Sequence, residues 1–295
     1  MNAFSTDWLA LREPFDRQAR DGAFASFDLP NLAARLRGGV SALTVLDLAC
    51  GTGANLRELA PRLGGLQRWT LVDHDSRLLA ALHATMASWA RTRGLSTYTS
   101  EGRLRIEGAG MMVEVEVLPR DLAQPLDAGL FERHRLITAS ALLDLVSAQW
   151  IDALLQCARQ AEAAVLFALT VDGSVEWRPE LQGDADVHRL FVAHQHRDKG
   201  FGPALGGDAV HRAAMRLASL GYEVTQAASH WYIDGRGGAQ SAAMLRAMIE
   251  GAAFAAQQQS PSTPTLIRDW TAGRVDAIEW TTLRVGHCDL LATLP

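Results

Sequence analysis

The chain has 295 residues, with 33 acidic against 28 basic side chains and a formal charge of −5, and 48% of it is hydrophobic. This balance excludes a general phosphate-backbone binder, whose surface would carry a basic stripe. No run of about 18 uncharged apolar residues occurs, which excludes a helical membrane span. Cys50, Cys157 and Cys288 are scattered and odd in number, so no disulfide framework is expected and a cytoplasmic setting is.

Residues 1–40 read as helical, and Asp7, Arg12, Glu13 and Asp16 interrupt them too early for a secretory leader. In WLALREPFDRQARDG, Arg12, Asp16 and Arg20 recur at fourfold spacing and share a helix face. They either reach a substrate carboxylate or phosphate from a lid, or form a solvated ion-pair ladder. LTVLDLA (43–49) is a compact apolar run that ends in Cys50-Gly51-Thr52-Gly53 and precedes the helical ANLRELAPRL. RWTLVD (68–73), HRLITAS (134–140) and AAVLFALTV (163–171) repeat the apolar pattern, with helical stretches at 76–91 and 145–161 between them. RLRIEGAGMMVEVEVLP (103–119) reads as a hairpin turning at 107–110. RVGHCDLLATLP at the end reads as a closing strand. Short apolar strands alternating with amphipathic helices predict a parallel sheet covered on both faces. Right-handed crossovers make it a doubly wound α/β fold. No internal period repeats. One domain over 1–295 is expected, with 1–40, 172–206 and 235–282 as additions that lack the apolar periodicity for their own cores.

VLDLACGTGANL carries the most chemistry. Gly51 and Gly53 permit a sharp turn and close ligand approach where a strand meets a helix. Leu56 stands where a dinucleotide fingerprint has its third glycine. Asp47 can meet an ammonium group. Asp73, 22 positions after Gly51, ends the second strand where a carboxylate binds ribose hydroxyls. Asp121, in LPRDL, can accept from an adenine amino group. Ammonium, ribose and adenine together describe S-adenosylmethionine rather than NAD.

From about Val45 to Val171 the chain resembles the class I S-adenosylmethionine-dependent methyltransferases. VLDLACGTG matches their glycine motif, LVDHDS their acidic second-strand motif, and RDL their adenine-pocket position, here Asp121 and Leu122. ITASALLDLV takes the fourth-strand place, where members carry cofactor-flanking and sometimes catalytic residues, here Ser140 and Asp144. The resemblance implies a Rossmann-like, seven-stranded mixed sheet whose last strand is antiparallel, with GYEV (from 221) and VGHCDLLATL as its ending. The signature that members acting on amine or amide targets carry after the fourth strand, Asn/Asp-Pro-Pro-Tyr/Phe, is absent, with Thr138-Ala139-Ser140-Ala141 in its place, which argues against DNA-adenine or protein-glutamine methylation.

Residues 1–40, 172–206 and 235–282 are expected to form a helical cap over the strands' carboxyl ends, enclosing a small ligand. In HQHRDKGFG (194–202), an extended chain would point His194, His196 and Asp198 the same way. Metal binding, a histidine base and a polar surface loop all remain open there, and no metal is the expectation. Trp177, Trp231 and Trp280 form either an aromatic wall or packing. Methylation of a nitrogen or oxygen on a small, polar, anionic or zwitterionic metabolite is therefore expected. His194, His196 and Asp144 are its catalytic candidates, and Arg12, Arg20, Lys199 and Trp231 its substrate contacts. No nucleic-acid or membrane partner is expected. The alternatives are aminocarboxypropyl transfer or cyclisation of the same cofactor, a nicotinamide-dependent oxidoreductase, and a non-catalytic binding protein.

Overall fold

The computed structural model describes residues 5–39, 42–100 and 103–295; positions 1–4 and 40 of the expected N-terminal segment lie outside them. Helix α1 (Thr6–Phe24) opens where the Ser5 hydroxyl accepts the Trp8 N–H at 3.1 Å, satisfying a donor with no helical partner. Asp28 does the same for α2 (Leu29–Arg37) through Asn31. Then follow β1 (Leu43–Leu48), α3 (Ala54–Leu63), β2 (Gly65–Asp73), α4 (Ser76–Thr92), β3 (Ser96–Ser100), β4 (Arg103–Gly108) and β5 (Met111–Pro119). The middle of the chain supplies α5 (Ala128–Phe131), β6 (Leu136–Ser140), α6 (Ala148–Gln160), β7 (Ala164–Arg178) and α7 (Asp184–Gln195). Last come α8 (Ala209–Ser219), β8 (Glu223–Ala228), β9 (Trp231–Asp234), α9 (Ala239–Gln259), α10 (Pro264–Asp276) and β10 (Thr282–Thr293).

The strands form one 10-stranded sheet in the order β3-β4-β5-β2-β1-β6-β7-β10-β8, with β9 paired to β10. Strands β5, β2, β1, β6 and β7 are parallel to one another, and β10 is antiparallel to both β7 and β8. The stretch from β5 to β8 is thus the expected seven-stranded mixed sheet with an antiparallel last strand. The β4–β5 hairpin turns at Ala109-Gly110 with φ of 49° and 77°, the left-handed pair that a two-residue hairpin demands. Strand β3 is invisible in the sequence because every residue of STYTS is exposed, leaving no apolar alternation.

Alternation along β1 sets the two cores. Leu43 and Val45 pack with α1 to α4, while Leu46 and Leu48 pack with α6 and α8. Each of these four side chains is fully buried and contributes about 2 kcal/mol of hydrophobic stabilisation.

Strand β7 outruns the parallel sheet. Its first residues pair with β6 up to Ser140↔Ala168, after which it pairs with β10 alone, and β10 pairs with β9. This antiparallel extension rises beyond the strands' carboxyl ends. Helices α7, α9 and α10 pack on one another beside it. Their pin is Arg274, fully buried, which is paired with Asp184 and lies 4.9 Å from the Trp177 ring. Trp270 donates its indole N–H to Asp184 at 2.8 Å and meets Trp177 edge-on. Trp177 is therefore a packing residue, and Trp280, 60% exposed, lies under Arg236 rather than in any wall. No helix among the described residues is long and apolar enough to cross a membrane.

Candidate functional site

Ala49 leaves β1 at φ 53°, and the turn continues through Gly51 at 54° and Gly53 at 81°. Asp73 braces this turn from the end of β2: one carboxylate oxygen accepts the Gly51 N–H at 2.8 Å, the other the Asp75 N–H at 2.9 Å. Each oxygen keeps a lone pair for a further donor. A Cβ on Gly51 would lie 3.2 Å from the Leu9 side chain of α1, and one on Gly53 would need the space of Met86 Cε. Two more non-glycine residues adopt the left-handed conformation nearby, Ala141 after β6 and Leu169 within β7. Such residues cost about 1–3 kcal/mol each and collect at functional sites. Here they stand on three adjacent strands, at the carboxyl ends where open α/β sheets hold ligands.

A buried polar network lies against this turn. Asn55, in the first turn of α3, donates to Asp47 at 2.7 Å and to Thr138 at 3.0 Å. It accepts from Arg20 of α1 at 2.9 Å. Arg20 Nε also lies 3.7 Å from Asp289 of β10, whose other oxygen accepts from the Leu169 N–H and the Ser229 hydroxyl. Arg20 Nε and Nη2, Asp47 Oδ2 and Asp289 Oδ2 have no hydrogen-bond partner among the described residues. Burial pushes the Asp47 carboxyl up to about 7, against the Asn55 hydrogen bond and the Arg20 charge. A buried acid and a buried guanidinium, each with unused capacity, match a ligand that carries both an ammonium and a carboxylate.

Further out along α1, Arg12 is bound through two nitrogens to Asp16, at 2.9 and 3.1 Å. Trp231 donates its indole N–H to the same carboxylate at 3.0 Å. The Arg12 guanidinium lies 5.0 Å from the Trp231 ring and 5.9 Å from that of Trp8. Trp231 in turn packs 4.8 Å from the His287 ring. Burial, aided by Arg12, pushes His287 down to about 3, so it is neutral. Asp144 follows β6 in the 3-10 turn Leu143–Leu145. It is 8% exposed, its Oδ1 has no partner among the described residues, and burial raises it to about 6. Arg12, Asp16 and Arg20 thus turn their shared face inward. With Arg12 at 9% and Arg20 at 2% exposure, a solvated ladder is ruled out.

The remaining sequence candidates make no hydrogen bond to this network among the described residues. Asp121 is exposed and closes its own turn by accepting the Ala123 N–H at 2.9 Å, while Leu122 beside it is buried and its carbonyl accepts from Trp150. Ser140 is half-buried at the end of β6. The extended reading of 194–198 is corrected: His194 sits in the last turn of α7 and His196 ends that helix, so the two rings leave on different sides. His196 bonds the Ala204 carbonyl, Lys199 donates to the His194 carbonyl, and Asp198 accepts from Gly200 and Gly202. These contacts close a loop on itself, and none joins it to Asp47, Arg20 or Asp144. No group of three or more metal-ligating side chains exists among the described residues. A cavity of about 270 Å³ opens between α1 and the β8–β9 segment, against Phe15, His230 and Tyr232, and the glycine turn does not line it.

Asn55, His287 and Asp289 were not legible as site residues. Asp289 carried one usable signal, a lone charge inside the apolar run CDLLATL, since an unpaired acid is almost never fully buried without purpose.

No protein-family model and no curated protein matches the chain. Solved structures similar to it include a SAM-dependent methyltransferase from Geobacter sulfurreducens in complex with S-adenosyl-L-homocysteine. That pair shares 16% identity over 99% of both chains, with a TM-score of 0.44. A second, from Thiobacillus denitrificans and also in complex with S-adenosyl-L-homocysteine, gives 16% identity over 98% of both chains at TM-score 0.41. An O-methyltransferase family protein from Burkholderia thailandensis is 16% identical over 95% of this chain and 62% of its own, at TM-score 0.40. No residue role follows from likeness at this level.

Proposed function

We propose that this chain is a class I S-adenosylmethionine-dependent methyltransferase acting on nitrogen or oxygen of a small polar metabolite. The observation that carries the reading is the pairing of unused groups at the glycine turn. Asp47 Oδ2 is a buried acceptor and Arg20 Nε and Nη2 are buried donors, complementary to the ammonium and carboxylate of the cofactor's methionine end. Asp73 has lone pairs left for the ribose hydroxyls, and in this reading Leu122 and Asp121 would flank the adenine. When bound, the cofactor would supply a methyl on a sulfonium, with sulfur as the leaving group that keeps the carbon–sulfur pair.

The chain's own work is positioning and exclusion of water. Helix α1 lies over the turn through Leu9, and the β7–β10–β9 extension with α7, α9 and α10 completes a cap over the strands' carboxyl ends. Asp144, raised into the range of a useful base, is the proton acceptor in this reading, ahead of His194 and His196. Aminocarboxypropyl transfer or cyclisation would use the same pocket, and the spent cofactor separates them. Incubation with methyl-labelled S-adenosylmethionine and a small-metabolite extract should move label into a small molecule and leave S-adenosylhomocysteine. Methylthioadenosine in its place would refute methyl transfer.

A further inference from the structure

Resting on the methyltransferase reading, we propose that Asp289 is a positioning residue for the cofactor's methionine end. It holds the Nε edge of Arg20, so that Nη2 is presented to the cofactor's carboxylate.

Three features of the fold converge on Asp289, which has no exposed surface. It lies in β10 inside the register shift between the pairs Cys288↔Thr170 and Leu290↔Phe167, and such a bulge re-aims a side chain. On the facing strand, Leu169 takes the left-handed conformation at φ 53° and gives its N–H to Asp289 Oδ1 at 2.8 Å. Ser229, also without exposed surface, donates its hydroxyl to the same oxygen at 2.5 Å. Bulge, strained leucine and buried serine all act on Oδ1. Oδ2 lies 3.7 Å from Arg20 Nε and makes no hydrogen bond among the described residues. An acceptor serving only Leu169 and Ser229 needs one oxygen, and a second buried charge-bearing oxygen is costly unless a cation meets it. Burial raises the Asp289 carboxyl, and the Arg20 charge opposes this ahead of the two hydrogen bonds.

Arg20 is thereby held from three directions before any ligand arrives. Its guanidinium lies 4.9 Å from the Phe24 ring, and Nη1 donates to Asn55 Oδ1 at 2.9 Å. Asn55 is itself fixed by Asp47 and Thr138. Asp289 faces the Nε edge, which leaves Nη2 buried and without a hydrogen-bond partner among the described residues. A free arginine side chain loses considerable rotamer freedom on binding an anion, and one already fixed loses little. The two buried acids thus have different duties. Asp47, on β1, keeps an oxygen for the ammonium; Asp289, on β10, holds the cation that meets the carboxylate.

Two ligands that differ only in that carboxylate test this on the full chain by calorimetry: S-adenosylhomocysteine and its decarboxylated form, 5′-(3-aminopropylthio)-5′-deoxyadenosine. Wild type should prefer the first by at least about tenfold, the scale of one charge-assisted hydrogen bond. Asp289→Asn should remove most of that preference while holding the decarboxylated ligand within about twofold, which also checks folding. Arg20→Met should remove it as well, and Asp289→Asn should change nothing further in the Arg20→Met protein. Ser229→Ala, which frees Oδ1 from one of its two donors, should lower the preference by about threefold and carries the test if Asp289→Asn does not fold. A preference that survives in Asp289→Asn, or in Ser229→Ala where that variant alone folds, would overturn the proposal. So would equal weakening of both ligands, the result of a merely structural role. These results leave the cofactor reading intact, whereas a wild type that binds neither ligand would overturn that reading and this assignment with it.

Discussion

Asp47 has no exposed surface, one oxygen bound to Asn55 and the other to nothing among the described residues. Its folded value of about 7 stands above the unfolded aspartate value of about 3.9. The folded state therefore holds the proton more tightly, and stability falls as pH rises from about 4 to about 7. Asp47→Asn should remove that slope. Denaturant melts of wild type and variant should diverge in favour of the variant by up to about 4 kcal/mol across this range, at about 1.4 per pH unit. Parallel profiles would mean that Asp47 is not ionising under strain. Asp47, Gly51, Gly53 and Asp73 could be read from sequence because a strand end, a glycine and a following helix leave a local signature. His287 and Asp289 could not. Arg20, which faces Asp289, and Trp231, which packs on His287, are distant in sequence, and only the folded β10 brings them together.

At the scale of elements, α1 is held in two ways. One face carries Arg12, Asp16 and Arg20 into the site; the neighbouring face is latched to α3. Glu13 bonds Arg57 at 2.9 and 2.7 Å, Arg17 lies 3.7 Å from Glu58, and Asp21 pairs with Arg62. Arg57 is only 3% exposed at its side chain, so stripping it of Glu13 leaves a buried cation with the Thr52 carbonyl alone. Glu13→Gln should destabilise the protein by about 1–3 kcal/mol. Amide exchange should accelerate along α1 while β1 and β6 keep their protection; uniform acceleration would show that α1 is not a separately releasable element. Periodicity found α1, α3, α4 and α6 because each buries an apolar stripe on the sheet. It misread 172–178 as a polar insertion. There Asp172-Gly173-Ser174 bulges opposite Gly286, whose missing Cβ makes room for the Asp172 and Ser174 side chains. In sequence, a bulge rich in such residues has the composition of a loop.

For the whole molecule, topology does what no single residue could signal. The parallel run β5-β2-β1-β6-β7 aligns five carboxyl ends, and β10, antiparallel to β7, carries His287 and Asp289 back across them. The alternation of apolar strands and helices was enough to read the parallel sheet. The alanine-rich helix at 239–256 and the one near IRDW could be read, but not where they dock, because the surface they bury is the β7–β10–β9 extension, which exists only after three distant segments pair. The central claim is that this arrangement holds an S-adenosyl ligand through Asp47, Arg20 and Asp73. Its most direct test is calorimetric titration of S-adenosylhomocysteine and NAD into wild type and Asp73→Ala. Saturable one-to-one binding of S-adenosylhomocysteine, weakened by about 2–4 kcal/mol in Asp73→Ala and accompanied by no heat from NAD, is the predicted result. Binding of NAD without S-adenosylhomocysteine, or S-adenosylhomocysteine affinity indifferent to Asp73, would contradict it.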